Sequence, residues 1–169
     1  PLWDCGQSSA GNGALMRVAA VPAFHLMRPS GSLLPDALLA SALTHNDPTS
    51  NAACVAFAVM LCELAGMRTA PEPDWWVGRF VQLAQPLEGY VRLRSRVPNS
   101  KFEGGLCEFL ETEVKESIRR QVPVLEAMDA WHSGAFLLET VPCVLLLLAR
   151  YAVSPEAALV RAVNDTRDN

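Results

Sequence analysis

The chain has 169 residues, and its 50% apolar and 19% charged residues are typical of a folded protein and exclude an intrinsically disordered one. Its formal net charge of −4 gives no electrostatic reason to expect nucleic-acid binding, and its one loose basic cluster, "RLRSR" (92–96), contains no aromatic residue and is read as a solvated face. A chain of this length can form one sizeable core, so we expect a single domain over residues 1–169.

Cysteine usage indicates a reducing compartment. The five cysteines (5, 54, 62, 107 and 143) form no CxxC pair, which fits the cytoplasm better than a disulfide framework. No secretory-signal pattern is present, and we expect a cytoplasmic location. Two apolar runs, 51–66 and 134–151, contain Glu63 and Glu139 respectively. Both are shorter or more interrupted than the run of about 20 apolar residues that a membrane span needs. We therefore expect both runs to be buried helices, with no membrane association.

The first part of the chain predicts helices after a turn-rich start over residues 1–30. A helix is predicted over 35–44, because a proline at the first position and an acid in the first turn both favour a helix start. Thr49 or Ser50 is expected to cap the next helix. That helix is predicted to end near Gly66, in the left-handed conformation that glycine adopts easily.

The remaining elements are also predicted to be helical. Residues 74–90 indicate one or two short helices, and 97–105 indicate an exposed excursion. An amphipathic helix is predicted over 106–122, and a long apolar helix over 133–152. Ser154 is expected to cap a last helix, because a proline and an acid follow it. The apolar positions of the amphipathic helix are 106, 109, 110, 114 and 118. No segment alternates with a period of two residues, so the chain is predicted to be all-α.

A glycine-containing stretch, "SSAGNGALMR" (Ser8–Arg17), precedes the first helical pattern. Glycines allow close approach of a ligand to the backbone, and the N–H groups of such a loop can bind an anion. A plain turn leading into a helix explains the same residues. No Lys-Ser/Thr pair follows and no strand precedes, so neither a Walker loop nor the dinucleotide fingerprint applies.

The stretch "THNDP" places His45 at a helix end beside an asparagine and an aspartate. A histidine there can donate to a phosphate or hydroxyl group, or act as a general base, although a lone histidine is more often a capping or packing residue. In "HSGAFLLETVP", Glu139 lies within an apolar helix, where a carboxylate needs a partner because its burial alone is costly.

The stretch "NDTRDN" (164–169) contains only oxygen ligands. Carboxylate, hydroxyl and amide oxygens suit a hard cation such as Mg²⁺, but the spacing is not that of a calcium loop. Asp and Asn residues after a helix also commonly form a simple turn. The residues by themselves leave both interpretations open.

Taken together and in this order, the motifs resemble the ADP-ribosylglycohydrolase family, which includes the dinitrogenase-reductase-activating glycohydrolases and the lens J1 crystallins. The resemblance is carried by "GNGALMR" (11–17), "THNDP" (44–48), "GAFLLETVP" (134–142) and "AVNDTRDN" (162–169). It implies a compact, multi-helix, all-α orthogonal bundle with two metal ions, Mg²⁺ or alternatively Mn²⁺, in a cleft. It also implies hydrolysis that removes ADP-ribose from modified substrates.

The resemblance also implies site residues. Those expected to bind ADP-ribose or an ADP-ribosylated protein are Gly11, Asn12, Gly13, Met16, Arg17, His45 and Glu139. The family's C-terminal metal motif has the form Asp-x-Asp-Thr, and Asp168–Asn169 matches its first half. Asp168 is therefore carried over as a metal ligand and Asp165 as a weaker candidate, while no catalytic residue is assigned.

The resemblance covers the internal to C-terminal portion of the family domain. The family's other metal ligands come from an N-terminal region, and nothing in residues 1–169 matches them. We therefore expect a family domain that is incomplete at both ends and has little hydrolase activity by itself. The alternative is a non-catalytic relative with a binding or structural role.

Overall fold

The computed structural model describes residues 4–28, 31–98 and 100–165. Its internal contacts group the chain into two compact units, of which the first contains residues 1–68 and 80–89 and the second contains residues 69–79 and 90–169. Each unit has its own packing and is described separately. The expectation of a single domain stays a prediction.

The first unit is built on α3 (Pro48–Gly66), which packs against α1 (Ala20–Met27) and α2 (Leu33–Ala42). A 3₁₀ turn at Leu15–Arg17 precedes α1, and α4 (Pro73–Glu88) contributes its residues from 80 onward. Small side chains let these helices approach closely. The buried cluster at their contact contains Ala14, Val18, Ala37, Cys54, Val55 and Ala58.

The start and the end of α3 differ from the prediction. The cap is Asp47, not Thr49 or Ser50, and its carboxylate accepts hydrogen bonds from the backbone N–H groups of both, at 3.0 and 3.1 Å. Pro48 occupies the first helical position, where its missing N–H is not needed. Gly66 is the last helical residue and does not take a left-handed conformation.

Among the described helices, α3 is long and apolar enough, by length and composition, to cross a membrane. Half of its apolar window is buried within the protein. Residues such as Ala53 and Cys54 have no exposed surface. A core helix of a folded unit has the same composition, and α3 forms the centre of the first unit.

The second unit contains the first residues of α4, up to 79, and a small antiparallel hairpin in which β1 (Leu93–Arg94) pairs with β2 (Glu103–Gly104). β2 lies within the segment 97–105 that was predicted as an exposed excursion, whereas β1 precedes it, and neither two-residue strand was predicted. The helices that follow are α5 (Leu106–Phe109), α6 (Lys115–Arg119), α7 (Val124–Trp131), α8 (Leu137–Tyr151) and α9 (Pro155–Asn164).

The predicted amphipathic helix is interrupted, although its buried face is as expected. A π-helical turn over Leu110–Val114 separates α5 from α6, so the hydrogen-bond spacing widens in the middle of the element. All five apolar positions named from the sequence are buried. The side-chain period was therefore sufficient to identify the buried face.

In the second unit, the start of α9 agrees with the prediction from local sequence signals, whereas the start of α8 does not. Ser154 is the N-cap residue of α9 and Pro155 its first residue, as predicted, although the Ser154 side chain makes no capping hydrogen bond. The long apolar helix begins at Leu137, later than predicted, and continues through Pro142. The described elements are helical apart from the short hairpin, which confirms the all-α class.

Candidate functional site

In the first unit, the glycine loop packs directly on the ring of His45. A Cβ atom built on Gly13 would lie 2.8 Å from Cε1 of His45, and one built on Gly11 would lie 3.2 Å from Nε2. The imidazole ring thus occupies the space that side chains at these positions would need. The glycine loop and His45 are far apart in the sequence and meet here, as a common site requires.

Arg17 ties the loop to the end of α2. Its guanidinium donates hydrogen bonds to the carbonyl oxygens of Ala40 at 3.1 Å and Gly13 at 3.4 Å, and to the hydroxyl oxygen of Thr44. Because the three acceptors belong to different segments, the arginine fixes the loop relative to the "THNDP" turn. Arg17 therefore has a structural role whether or not it touches a ligand.

Thr44 was not singled out from the sequence, yet it orients His45. Its Oγ1 lies 3.0 Å from Nδ1 of the imidazole, so Nε2 is the ring nitrogen on the side of the glycines. Gln7 adds a backbone support, since its N–H donates to the carbonyl of Thr44 at 3.0 Å and it forms a parallel bridge with His45. A hydroxyl beside a histidine was the signal that could have identified Thr44.

Gly6 is a second residue that the sequence analysis missed. It has a φ of +77°, and a Cβ atom there would collide with the carbonyl oxygen of Ala42 and lie 3.0 Å from the N–H of Asn46. Only glycine accommodates both conditions without strain. The chain can thus pass close to the segment that carries His45.

The other predicted residues of the loop have different surroundings. The carbonyl of Asn12 accepts a hydrogen bond from the N–H of Met16 at 2.9 Å, which closes the turn into the helix. The side chain of Met16 is 76% exposed. Gly11, Gly13, Arg17 and His45 are therefore gathered around one point, whereas the Met16 side chain faces solvent.

Glu139 belongs to the second unit, where it is only 4% exposed. Its Oε2 accepts a hydrogen bond from the N–H of Phe136 at 3.2 Å at the start of α8, but its Oε1 is buried without a hydrogen-bond partner. Burial and, secondarily, this carboxylate raise the pKa of the Cys143 thiol to about 12. Binding of ADP-ribose by Glu139 stays a prediction.

The described residues do not assemble a metal site. They contain no group of three or more His, Cys, Asp or Glu side chains with the geometry to hold a metal ion. The carboxylate of Asp165 pairs with Arg161 at 3.4 Å, one turn back on α9. Asp168 lies outside the described residues. Both remain predicted ligands, and no reaction step is derived through a metal.

The family model for ADP-ribosylglycohydrolase matches residues 1–169, in agreement with the motif order and with the all-helical architecture. The chain belongs to this family. ADP-ribosylglycohydrolases are glycohydrolases that act on ADP-ribosylated substrates and are generally metal-dependent. No curated protein and no solved structure matches the chain.

Proposed function

We propose that this chain serves the hydrolysis of the bond between ADP-ribose and a modified substrate, and that its glycine loop with His45 binds the ADP-ribose part. The supporting observation is the packing of His45 against Gly11 and Gly13. The bare backbone of the loop lets a ribose or phosphate group approach as closely as a hydrogen bond requires.

The hydrogen bonds around Thr44 support a donor role for His45. Arginine can only donate, so Oγ1 of Thr44 accepts from Arg17 and can give its own hydrogen to Nδ1 of His45. In that arrangement Nε2 carries the ring hydrogen on the side of the loop. An Nε2–H there would donate to a phosphate or ribose oxygen of the ligand.

The proposal includes Mg²⁺ as the metal, with Mn²⁺ as a substitute, and Asp168 and Asp165 as ligands that this chain contributes. Their oxygen chemistry suits a hard divalent cation. When bound, such a cation would offset negative charge as the glycosidic bond breaks. We also propose a cytoplasmic location, which is supported by the five free thiols.

Calorimetric titration with ADP-ribose tests the binding role. Gly13→Ala would force the His45 ring to move, and we expect its affinity for ADP-ribose to fall about tenfold or more. Gly66→Ala is the matched control, because nothing lies within 4 Å of a Cβ at that position. Absence of ADP-ribose binding by the wild type would refute the proposal.

The hydrolase activity needs a separate test, in which release of ADP-ribose from ADP-ribosylated protein is followed with Mg²⁺ and with a chelator. Mg²⁺-dependent release supports the enzymatic role and contradicts our expectation that residues 1–169 have little activity by themselves. Tight ADP-ribose binding without release favours either the non-catalytic relative or the low activity that we expect of residues 1–169 by themselves.

A further inference from the structure

The outer faces of α1 and α2 in the first unit carry almost no polar side chains. From Ala19 to Met27, the residues that remain exposed to solvent are all apolar. Along α2 the exposed residues are also apolar, with the single exception of Asp36. The outer side of a surface helix normally carries charged and polar residues, so these two helices lack the composition of a solvated face.

The second unit shows what a solvated helical surface of this protein looks like. Between residues 111 and 120 the exposed side chains are all polar, namely Glu111, Thr112, Glu113, Arg119 and Arg120. Both of these arginines form ion pairs with Glu116. The apolar outer faces of α1 and α2 are therefore a local property and do not follow from the composition of the whole chain.

The exposed apolar area on these helices is large. Eight bulky apolar residues on or next to them are each at least 43% exposed. Together they expose roughly 800 Å², whereas the largest apolar patch on a typical monomer covers about 300–600 Å². An area of about 800 Å² is also what each partner contributes to a standard-size protein interface. We call this surface the α1–α2 face, and its residues are Met16, Phe24, Leu26, Met27, Leu34, Leu38, Leu39 and Leu43.

The one exposed charge of α2 has partners within the first unit. Oδ2 of Asp36 lies 2.9 Å from Nε2 of His25, which is buried on α1. The same oxygen accepts a hydrogen bond from the hydroxyl group of Ser32 at 2.8 Å. Because these contacts hold the carboxylate between the two helices, a molecule that docks on the α1–α2 face need not supply a counter-charge.

The composition of the α1–α2 face favours a second copy of this chain over other occupants. A transient partner binds a surface about as polar as the rest of a protein, whereas homodimer interfaces are more apolar. A helix that lies on a membrane carries lysine or arginine on its polar side, and neither α1 nor α2 contains one. A second copy presents the same apolar surface, so a two-fold contact covers both faces at once.

We propose that the chain forms a two-fold homodimer in which the α1–α2 face of one copy packs on that of the other. The unbranched side chains of Met16 and Met27, which are 76% and 80% exposed, can adapt to the shape of the partner surface. Of the residues that the family resemblance assigns to the substrate, only Met16 belongs to this face. The inference is therefore independent of the proposed binding of ADP-ribose by the glycine loop and His45.

The mass of the full chain in solution tests the inference, measured by sedimentation equilibrium at concentrations from about 1 to about 100 µM. We expect twice the chain mass of 18.3 kDa in the upper part of this range, since interfaces of standard size bind with micromolar or lower dissociation constants. The mass of a single chain at every concentration overturns the inference. So does a species that grows beyond the dimer, because a two-fold contact is closed.

Two substitutions and a matched control test whether the dimer uses this face. Leu39→Glu and Met27→Glu each place a charge in the apolar contact, and we expect each to raise the dissociation constant of the dimer about tenfold or more. Leu159→Glu adds the same charge on α9, at a side chain that is 68% exposed, and should leave the dimer unchanged. Far-UV circular dichroism checks that each variant is folded, and either substitution on the face is sufficient for the test.

The variants also give the outcomes that contradict the proposal. Unchanged dissociation constants in Leu39→Glu and Met27→Glu overturn it, as does an equal weakening in Leu159→Glu. Flotation with neutral phosphatidylcholine vesicles tests the membrane alternative, and we expect the wild-type chain to remain outside the vesicle fraction. A monomer that floats with the vesicles would identify a lipid surface as the occupant of the α1–α2 face and overturn the homodimer.

Discussion

The ring of His45 fits against the loop only because Gly11 and Gly13 have no side chains. These glycines therefore have a structural role even when no ligand is bound. Gly11 and Gly13 leave room for the imidazole, and Thr44 holds the ring in the orientation that fills this room. A ligand that binds at the loop therefore meets a preorganised surface, and little conformational entropy is lost on binding.

Gly6 should be the glycine of this region at which an alanine is most costly to stability. Its positive φ and the collision of an added Cβ with Ala42 lead us to expect Gly6→Ala to lower the free energy of unfolding by about 1–3 kcal/mol. Gly31→Ala, where an added Cβ meets nothing within 4 Å, should change it little. Urea denaturation measures both, and equal effects of the two substitutions would contradict the expectation.

Cys143 should make the protein less stable at alkaline pH. Burial first, and then the carboxylate of Glu139, raise its pKa to about 12 from an ordinary value of 9.0, so the unfolded chain loses this proton at lower pH than the folded one. The contribution to stability is full below the unfolded pKa and is lost as pH rises toward the folded pKa.

The free energy of unfolding is therefore expected to fall as the pH rises from about 9 toward about 12, and to fall less in Cys143→Ala. Comparison of the change with pH within each variant removes the effect of the cavity that the substitution leaves. Cys62→Ala, which deletes a half-buried thiol on α3, should keep the wild-type change with pH. If the free energy of unfolding changes with pH identically in Cys143→Ala and wild type, the Cys143 thiol is not the cause of the change.

At the scale of elements, α3 depends on a single side chain for its start. The carboxylate of Asp47 satisfies two backbone N–H groups that the helix itself leaves without partners. It also lies at the positive end of the helix dipole. The cap fixes the segment that follows His45, and thus links the stability of α3 to the position of the site.

Asp47→Ala should lower the free energy of unfolding by about 1 kcal/mol, since both capping hydrogen bonds are lost. Asp47→Asn keeps an acceptor oxygen and should keep most of the stability. Denaturant titration of the three proteins measures the difference. If asparagine is as destabilising as alanine, the side-chain hydrogen bonds are not the cause.

The elements show what could be predicted from the sequence and what could not. The start of α9 was predictable because its signals, Ser154 and Pro155, are adjacent in the chain. The π-helical turn at Leu110–Val114 was not predictable, because a single turn of wider hydrogen-bond spacing leaves the apolar period almost unchanged. Asp47 was overlooked although it directly precedes Pro48, which is itself a signal of a helix start.

The candidate site also contains residues that could be predicted from the sequence and residues that could not. Gly11, Gly13 and His45 could be named by family resemblance, and the structure brings these three together. The supporting residues, Thr44 and Gly6, act through contacts between segments that are distant in sequence. No local pattern encodes such contacts, so these residues became visible only in the folded chain.

At the scale of the whole molecule, the net charge opposes an anionic ligand. A formal charge of −4 repels a pyrophosphate, and the guanidinium of Arg17 already has three acceptors within the protein. Binding of ADP-ribose must therefore rely on short-range hydrogen bonds at the loop rather than on long-range attraction. The proposed metal would supply positive charge where the chain itself has little.

The redox state of the whole chain provides the last prediction. All five cysteines are free thiols, and three of them, Cys54, Cys107 and Cys143, are buried where they act as small apolar side chains. We expect the melting temperature to be the same with and without a reductant, since no covalent link constrains the unfolded chain. A thiol reagent should titrate five groups in unreduced, denatured protein. Fewer than five groups, or a lower melting temperature with reductant, would reveal a disulfide and would also weaken the case for a cytoplasmic location.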